Sequence, residues 1–62
     1  MYFETLNLAL DSENISMTDA EVMQKIGNMS YGETKRFQHQ NKQIALFRSD
    51  VSGRYEITAY NL

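Results

Sequence analysis

Apolar positions recur at helical spacing in one stretch of the chain and at strand spacing in others. In Met17-Thr18-Asp19-Ala20-Glu21-Val22-Met23-Gln24-Lys25-Ile26, the residues Val22, Met23, Ile26 and Met29 form a stripe with Gln24, Lys25 and Asn28 opposite it. That spacing predicts an amphipathic helix over 18–28. Thr18 and Glu21 have the types and separation of a reciprocal capping box, and Met17 and Val22 flank it as a hydrophobic staple requires. Asp19 and Glu21 also face the positive end of the helix dipole.

The last third has strand character. Gln43-Ile44-Ala45-Leu46-Phe47-Arg48 is an apolar run of strand length, Asp50-Val51-Ser52-Gly53 supplies turn residues, and Arg54-Tyr55-Glu56-Ile57-Thr58-Ala59-Tyr60 is a β-rich return. A hairpin follows. Between helix and hairpin the pattern reads two ways. Ser30 and Glu33 form a second capping-box pair that can start a helix through Gln40, yet Phe37 would be almost its only anchor beside Tyr31. A turn at Gly32 instead gives a strand over 33–39, with Gln40-Asn41-Lys42 as a hairpin loop, and this is the preferred reading. Residues 1–10 are also ambiguous. Leu6, Leu8 and Leu10 alternate like a strand, while Phe3, Leu6 and Leu10 fit one side of a helix; Tyr2, Phe3 and Thr5 tip the expectation to a strand.

The expected fold is therefore α+β, a single domain over 1–62 in the order β-α-β-β-β, with one helix laid on one face of an antiparallel sheet. Phe37, Phe47, Tyr55 and Ile57 are expected beneath the helix. Ile44, Leu46, Arg36, Arg48, Arg54 and Tyr60 are then expected on the uncovered face, as a dimer or partner surface.

Composition narrows the function classes. A chain of 62 residues has a small core and gains from dimerising or binding, and it has neither a cysteine nor more than one histidine with which to staple itself. No apolar run approaches a membrane span, so a cytoplasmic location and no membrane partner are expected. Charge is segregated. Through Glu33, Lys25 stands alone against Glu4, Asp11, Glu13, Asp19, Glu21 and Glu33, whereas beyond it Lys35, Arg36, Lys42, Arg48 and Arg54 outnumber Asp50 and Glu56. Such asymmetry suits an oriented partner or a nucleic acid on the basic half.

No catalytic constellation is legible. His39 lies in polar Gln38-His39-Gln40, where exposure is expected, and the segment Asp11–Ser16 lacks the glycine of a calcium loop. Gly27, Gly32 and Gly53 are too scattered to cradle a phosphate. A non-enzymatic protein without cofactor or metal is expected. If residues 1–10, 18–28 and 31–40 were all helices and 43–60 a wing, the layout would resemble a winged helix-turn-helix domain. That resemblance implies a DNA-binding regulator whose recognition helix carries Thr34, Lys35, Arg36 and Gln38. A second nucleic-acid reading gathers Arg36, Arg48, Arg54 and Lys42 with Phe47, Tyr55 and Tyr60 on one basic sheet surface; the candidate contacts across both are Lys35, Arg36, Arg48 and Arg54.

The preferred expectation is a protein-binding module that also forms a homodimer. Small cysteine-free domains of this kind resemble accessory proteins of phages and mobile elements, including inhibitors that block a larger host complex by occlusion. The candidate partner-binding residues are Glu13, Asp19 and Glu21 on the acidic side, with Leu46 and Tyr60 as a dimer seam.

Overall fold

The computed structural model describes residues 1–62. Two short helices, α1 (Leu6–Ser12) and α2 (Asp19–Lys25), precede three strands, β1 (Thr34–His39), β2 (Lys42–Arg48) and β3 (Tyr55–Asn61). The strands form one antiparallel meander in the order β1-β2-β3. The architecture is α+β, but the chain order is α-α-β-β-β and two helices rather than one share the covered side.

The first ten residues therefore correct the expected strand. Thr5 caps α1 by accepting the Leu8 N–H at 3.2 Å, and Leu6, Ala9 and Leu10 face the core at helical spacing. Leu8, which made the segment look alternating, is half exposed. What extended structure remains is Phe3, whose N–H and C=O both bond to Tyr55, at 2.7 and 2.8 Å. A strand-like start and a helix thus share ten residues, which is why both periodicities were visible.

Helix α2 begins as its sequence dictates. Thr18 Oγ1 accepts the Glu21 N–H at 3.2 Å and Glu21 Oε2 accepts the Thr18 N–H at 2.8 Å. It closes at Gly27, the nearer of the two expected ends, whose N–H reaches Val22 O at 2.8 Å with φ +62°, a left-handed closure suited to glycine. Of the expected stripe, Ile26 and Met29 are buried and Val22 packs against the core, but Met23 is 66% exposed. Replacing Thr18 by alanine is expected to lower stability by about 1 kcal/mol, read as a lower urea midpoint with an unchanged denaturant slope.

The 30–40 region is the expected turn and strand, which removes the third helix of the winged-helix layout. Glu33 Oε1 does accept the Ser30 N–H at 2.8 Å, so half of the second capping box forms. No helix follows because the Glu33 carbonyl is taken by the Arg48 N–H of β2 at 3.0 Å, and the Gly32 N–H by Arg48 O at 2.7 Å. Gln40 and Asn41, at φ +51° and +62°, make the two-residue loop to β2, and Lys42 already pairs with His39 in the strand.

Register settles which side of the sheet is covered. Ile44 lies opposite Phe37 and Ala59, and Leu46 opposite Lys35 and Ile57. Ile44 and Leu46 have no solvent exposure and join Ala9, Leu10, Ile15, Ile26 and Met29 in the core, with Phe37, Tyr55, Ile57 and Ala59 packed around them. The expected faces of β2 are thus reversed. Leu46 is core and offers nothing to a dimer seam, while Phe47 points to the uncovered side. Both parities of Gln43–Phe47 are apolar, so alternation within that strand could not choose.

Candidate interaction surface

Pairing alternation places Thr34, Arg36 and Gln38 of β1, Gln43, Ala45 and Phe47 of β2, and Glu56, Thr58 and Tyr60 of β3 on the side opposite the core. Neither helix covers this face. Phe47 lies between Thr34 and Glu56, and Tyr60, 59% exposed, lies beside Gln43. Neither Phe47 nor Ala45 belongs to the apolar set packed around the core. The face carries one base, Arg36, and one acid, Glu56, whose carboxylate is 3.8 Å from the N-terminal amine.

One end of the molecule is tied by His39, which is buried and not exposed as its polar flanks suggested. Its Nε2 is 3.1 Å from Ser16 O and its Nδ1 is 3.3 Å from Lys25 Nζ. A carbonyl can only accept and an ammonium can only donate, so the ring is held with its proton on Nε2. Lys25 also donates to Gln38 O at 2.9 Å, and neighbouring Lys42 donates to Glu13 O at 3.0 Å. These contacts fasten the α1–α2 connection over the β1–β2 turn. Glu21 Oε1 approaches His39 Nδ1 to 3.9 Å.

Glu21 and Glu33 are held below the ordinary carboxylate range. For Glu21 the main cause is the Thr18 backbone N–H, aided by the Thr18 hydroxyl, His39 and Lys25 against some desolvation. For Glu33 it is the Ser30 backbone N–H, then Lys35. A carboxylate depressed in the folded state lends stability that is present at neutral pH and lost as pH falls through the folded value. Glu21→Gln is therefore expected to flatten the fall of the urea midpoint between neutral pH and about pH 3, since the amide has no charge to lose.

At the other end Arg48 is a hub of the covered side. Its Nε donates to Gly53 O at 2.9 Å and an Nη donates to Met29 O at 2.8 Å. The guanidinium lies 4.6 Å from the Tyr31 ring centroid and 5.1 Å from that of Tyr55. Gly53, at φ +72°, lies so close beneath Tyr31 that a Cβ would fall 2.6 Å from the ring.

The candidate basic residues are consequently dispersed. Arg36 is exposed on the open face, Lys35 pairs with Glu33 at 3.2 Å from the covered side, Arg54 pairs with Glu4 at 2.8 Å, and Arg48 is enclosed. Among the candidate acids, Asp19 is exposed at the start of α2, Glu13 is half-buried after α1, and the Glu21 carboxylate is occupied as a helix cap. Tyr60 alone of the proposed dimer pair is accessible. Phe47, expected beneath the helix, and Thr58, which was given no face, both lie on the open face, because their sides depend on a register carried by neighbouring strands. No three His, Asp or Glu side chains converge as metal ligands do, and no helix is long and apolar enough to cross a membrane. No protein family, curated protein or solved structure matches this chain.

Proposed function

We propose that this protein is a small non-enzymatic binding module that docks on a larger protein through the open face of its sheet and acts by occluding the surface it covers. Inhibition of a host complex by a phage or mobile-element accessory protein is the biological setting this reading points to. The observation that supports it is a face that neither helix covers and that carries two aromatic residues at separate points, the half-buried Phe47 opposite Glu56 and the largely exposed Tyr60 opposite Gln43. Aromatic groups amid short polar side chains make the anchor and rim of a protein interface. The charge of that face argues for a protein over a nucleic acid, because Arg36 and Glu56 balance, and a groove that follows phosphates needs rows of bases.

The test has two arms. Binding to duplex and single-stranded oligonucleotides is measured across a salt series, with none expected at low salt; affinity that falls steeply with salt would replace this reading with a nucleic-acid one. Affinity capture from host extract is then compared for the wild type and for Phe47→Ser, Arg36→Glu and Asp19→Lys. A partner lost with the two open-face variants and kept with Asp19→Lys supports the proposal. The opposite pattern moves the site to the acidic end of α2.

A further inference from the structure

The sheet has two edges, and they are protected unequally. In an antiparallel meander each residue directs its N–H and C=O to one neighbour only, with the direction alternating along the strand. On β1, Arg48 bonds with Gly32 and Glu33, which sets the parity and leaves Thr34, Arg36 and Gln38 facing outward. That edge is defended by Lys35 and Arg36 in the strand, and by Lys25, whose ammonium occupies Gln38 O at 2.9 Å. Two copies meeting there would bring lysine and arginine together, which opposes pairing.

On β3, the two bonds between Tyr55 and Phe3 set the parity, so Ile57, Ala59 and Asn61 present N–H and C=O outward. The N-terminal segment bonds to the edge only at Tyr55, through Phe3, and the Met1 amine beyond it reaches the Glu56 carboxylate at 3.8 Å without a backbone bond to β3. From Ile57 to Leu62 the sequence Ile-Thr-Ala-Tyr-Asn-Leu contains no charge, proline or glycine, and Tyr60 and Leu62 are 59% and 68% exposed. An uncharged strand edge with unspent backbone groups, next to one guarded by charges, is a pairing edge.

We propose that the free edge of β3 pairs antiparallel with the same edge of a second copy of this chain, about a two-fold axis near Ala59, joining two three-stranded sheets into one of six strands. The axis sets Ala59 against its own counterpart, where two methyl groups allow close approach. It also sets Thr58 of each copy across from Tyr60 of the other on the open face, a β-branched and aromatic cross-strand pair. No charged residue within Ile57–Leu62 meets a like charge, as Arg36 would at the opposite edge. The contact is short, so it belongs to the weak class of interfaces and depends on concentration. It is separate from the partner-docking reading and stands whether or not that reading holds.

The experiment is sedimentation equilibrium of the full chain from about 1 µM to about 1 mM, the range in which a small interface passes from monomer to dimer. The average mass is expected to rise from the monomer's 7.2 kDa towards twice that value. Ala59→Pro removes one outward N–H at an edge position where proline is tolerated, and is expected to hold the mass at the monomer value. Thr58→Lys is the second variant, since it puts a charge on the edge without altering the backbone; it too is expected to abolish the rise, with an unchanged circular dichroism spectrum. Gln38→Pro, the matching change on β1, is expected to leave dimerisation intact. A wild type that stays monomeric throughout would overturn the proposal, as would a dimer that survives Thr58→Lys or is lost only with Gln38→Pro.

Discussion

Truncating Leu46 to alanine is expected to lower the unfolding free energy by about 2–5 kcal/mol, the range for removing a large aliphatic side chain from a packed interior. A domain of this length has only about 3–9 kcal/mol in total, so the variant should be largely unfolded at 37 °C or close to it. Leu46 has no exposed surface and lies opposite Lys35 on β1 and Ile57 on β3. Its loss opens a hole at the centre of the sheet, where three strands on one side and two helices on the other cannot all close in. Urea denaturation followed by circular dichroism reads the effect as a fall in midpoint. A change below about 1 kcal/mol would show the side chain to be poorly enclosed. A stable monomer that had merely lost an ability to dimerise would restore Leu46 as a seam residue and contradict the packing.

Replacing Arg48 by alanine should cost about 2–4 kcal/mol, the sum of two hydrogen bonds from a charged donor and the contacts with two aromatic faces, reduced for partial solvent access. Arg48 ties the Met29 carbonyl after α2 and the Gly53 carbonyl before β3 to the last residue of β2, and its guanidinium sits against Tyr31 and Tyr55. Without it, two part-buried carbonyls lose their donor and the rings lose the group between them. Arg48→Lys is expected to recover less than half of the loss, because a single ammonium cannot serve two carbonyls through a planar fork. Full recovery by lysine would mean that charge alone matters there. Arg48→Ala should leave oligonucleotide binding at the same undetectable level, which separates this structural role from the phosphate-contact role that its charge suggested.

Much of the molecule was legible wherever the interaction was local. Thr18 and Glu21 specify a cap across three residues, and both bonds form. Gln40-Asn41 and Gly32 sit at positive φ as the turn chemistry required, and the hairpin returning through Tyr55 is present with nearly the expected bounds. The missed elements were contests between two local signals that only distant residues decide. Leu6, Leu8 and Leu10 suit a strand until Phe3 takes the Tyr55 edge and Thr5 turns the chain onto the sheet as a helix. The strand over 33–39, the preferred of two readings, is present: Ser30 and Glu33 form part of a cap, but Arg48 draws the following residues into β1.

The candidate site shows the same division. Tyr60 and Arg36 were placed on the uncovered face by residue type and spacing, and they lie there. Phe47 and Leu46 exchanged places because both are large and apolar, so neither declares which side of the sheet it occupies. His39 looked exposed among glutamines, yet the carbonyl of Ser16 and the ammonium of Lys25, 23 and 14 residues away in sequence, enclose it.

By itself the sequence determined the capped start of α2, the two C-terminal strands and the segregation of charge, and it favoured without deciding a turn at Gly32 and a loop beginning at Gln40, because each depends on residues within a few positions of one another. The tertiary structure alone decided the helical state of residues 6–12, the inward face of β2, the enclosure of His39 and Arg48, and the difference between a charged edge at β1 and a bare one at β3. A strand has two faces and a sheet has two edges, and pairing register chooses among them through contacts that no single segment contains.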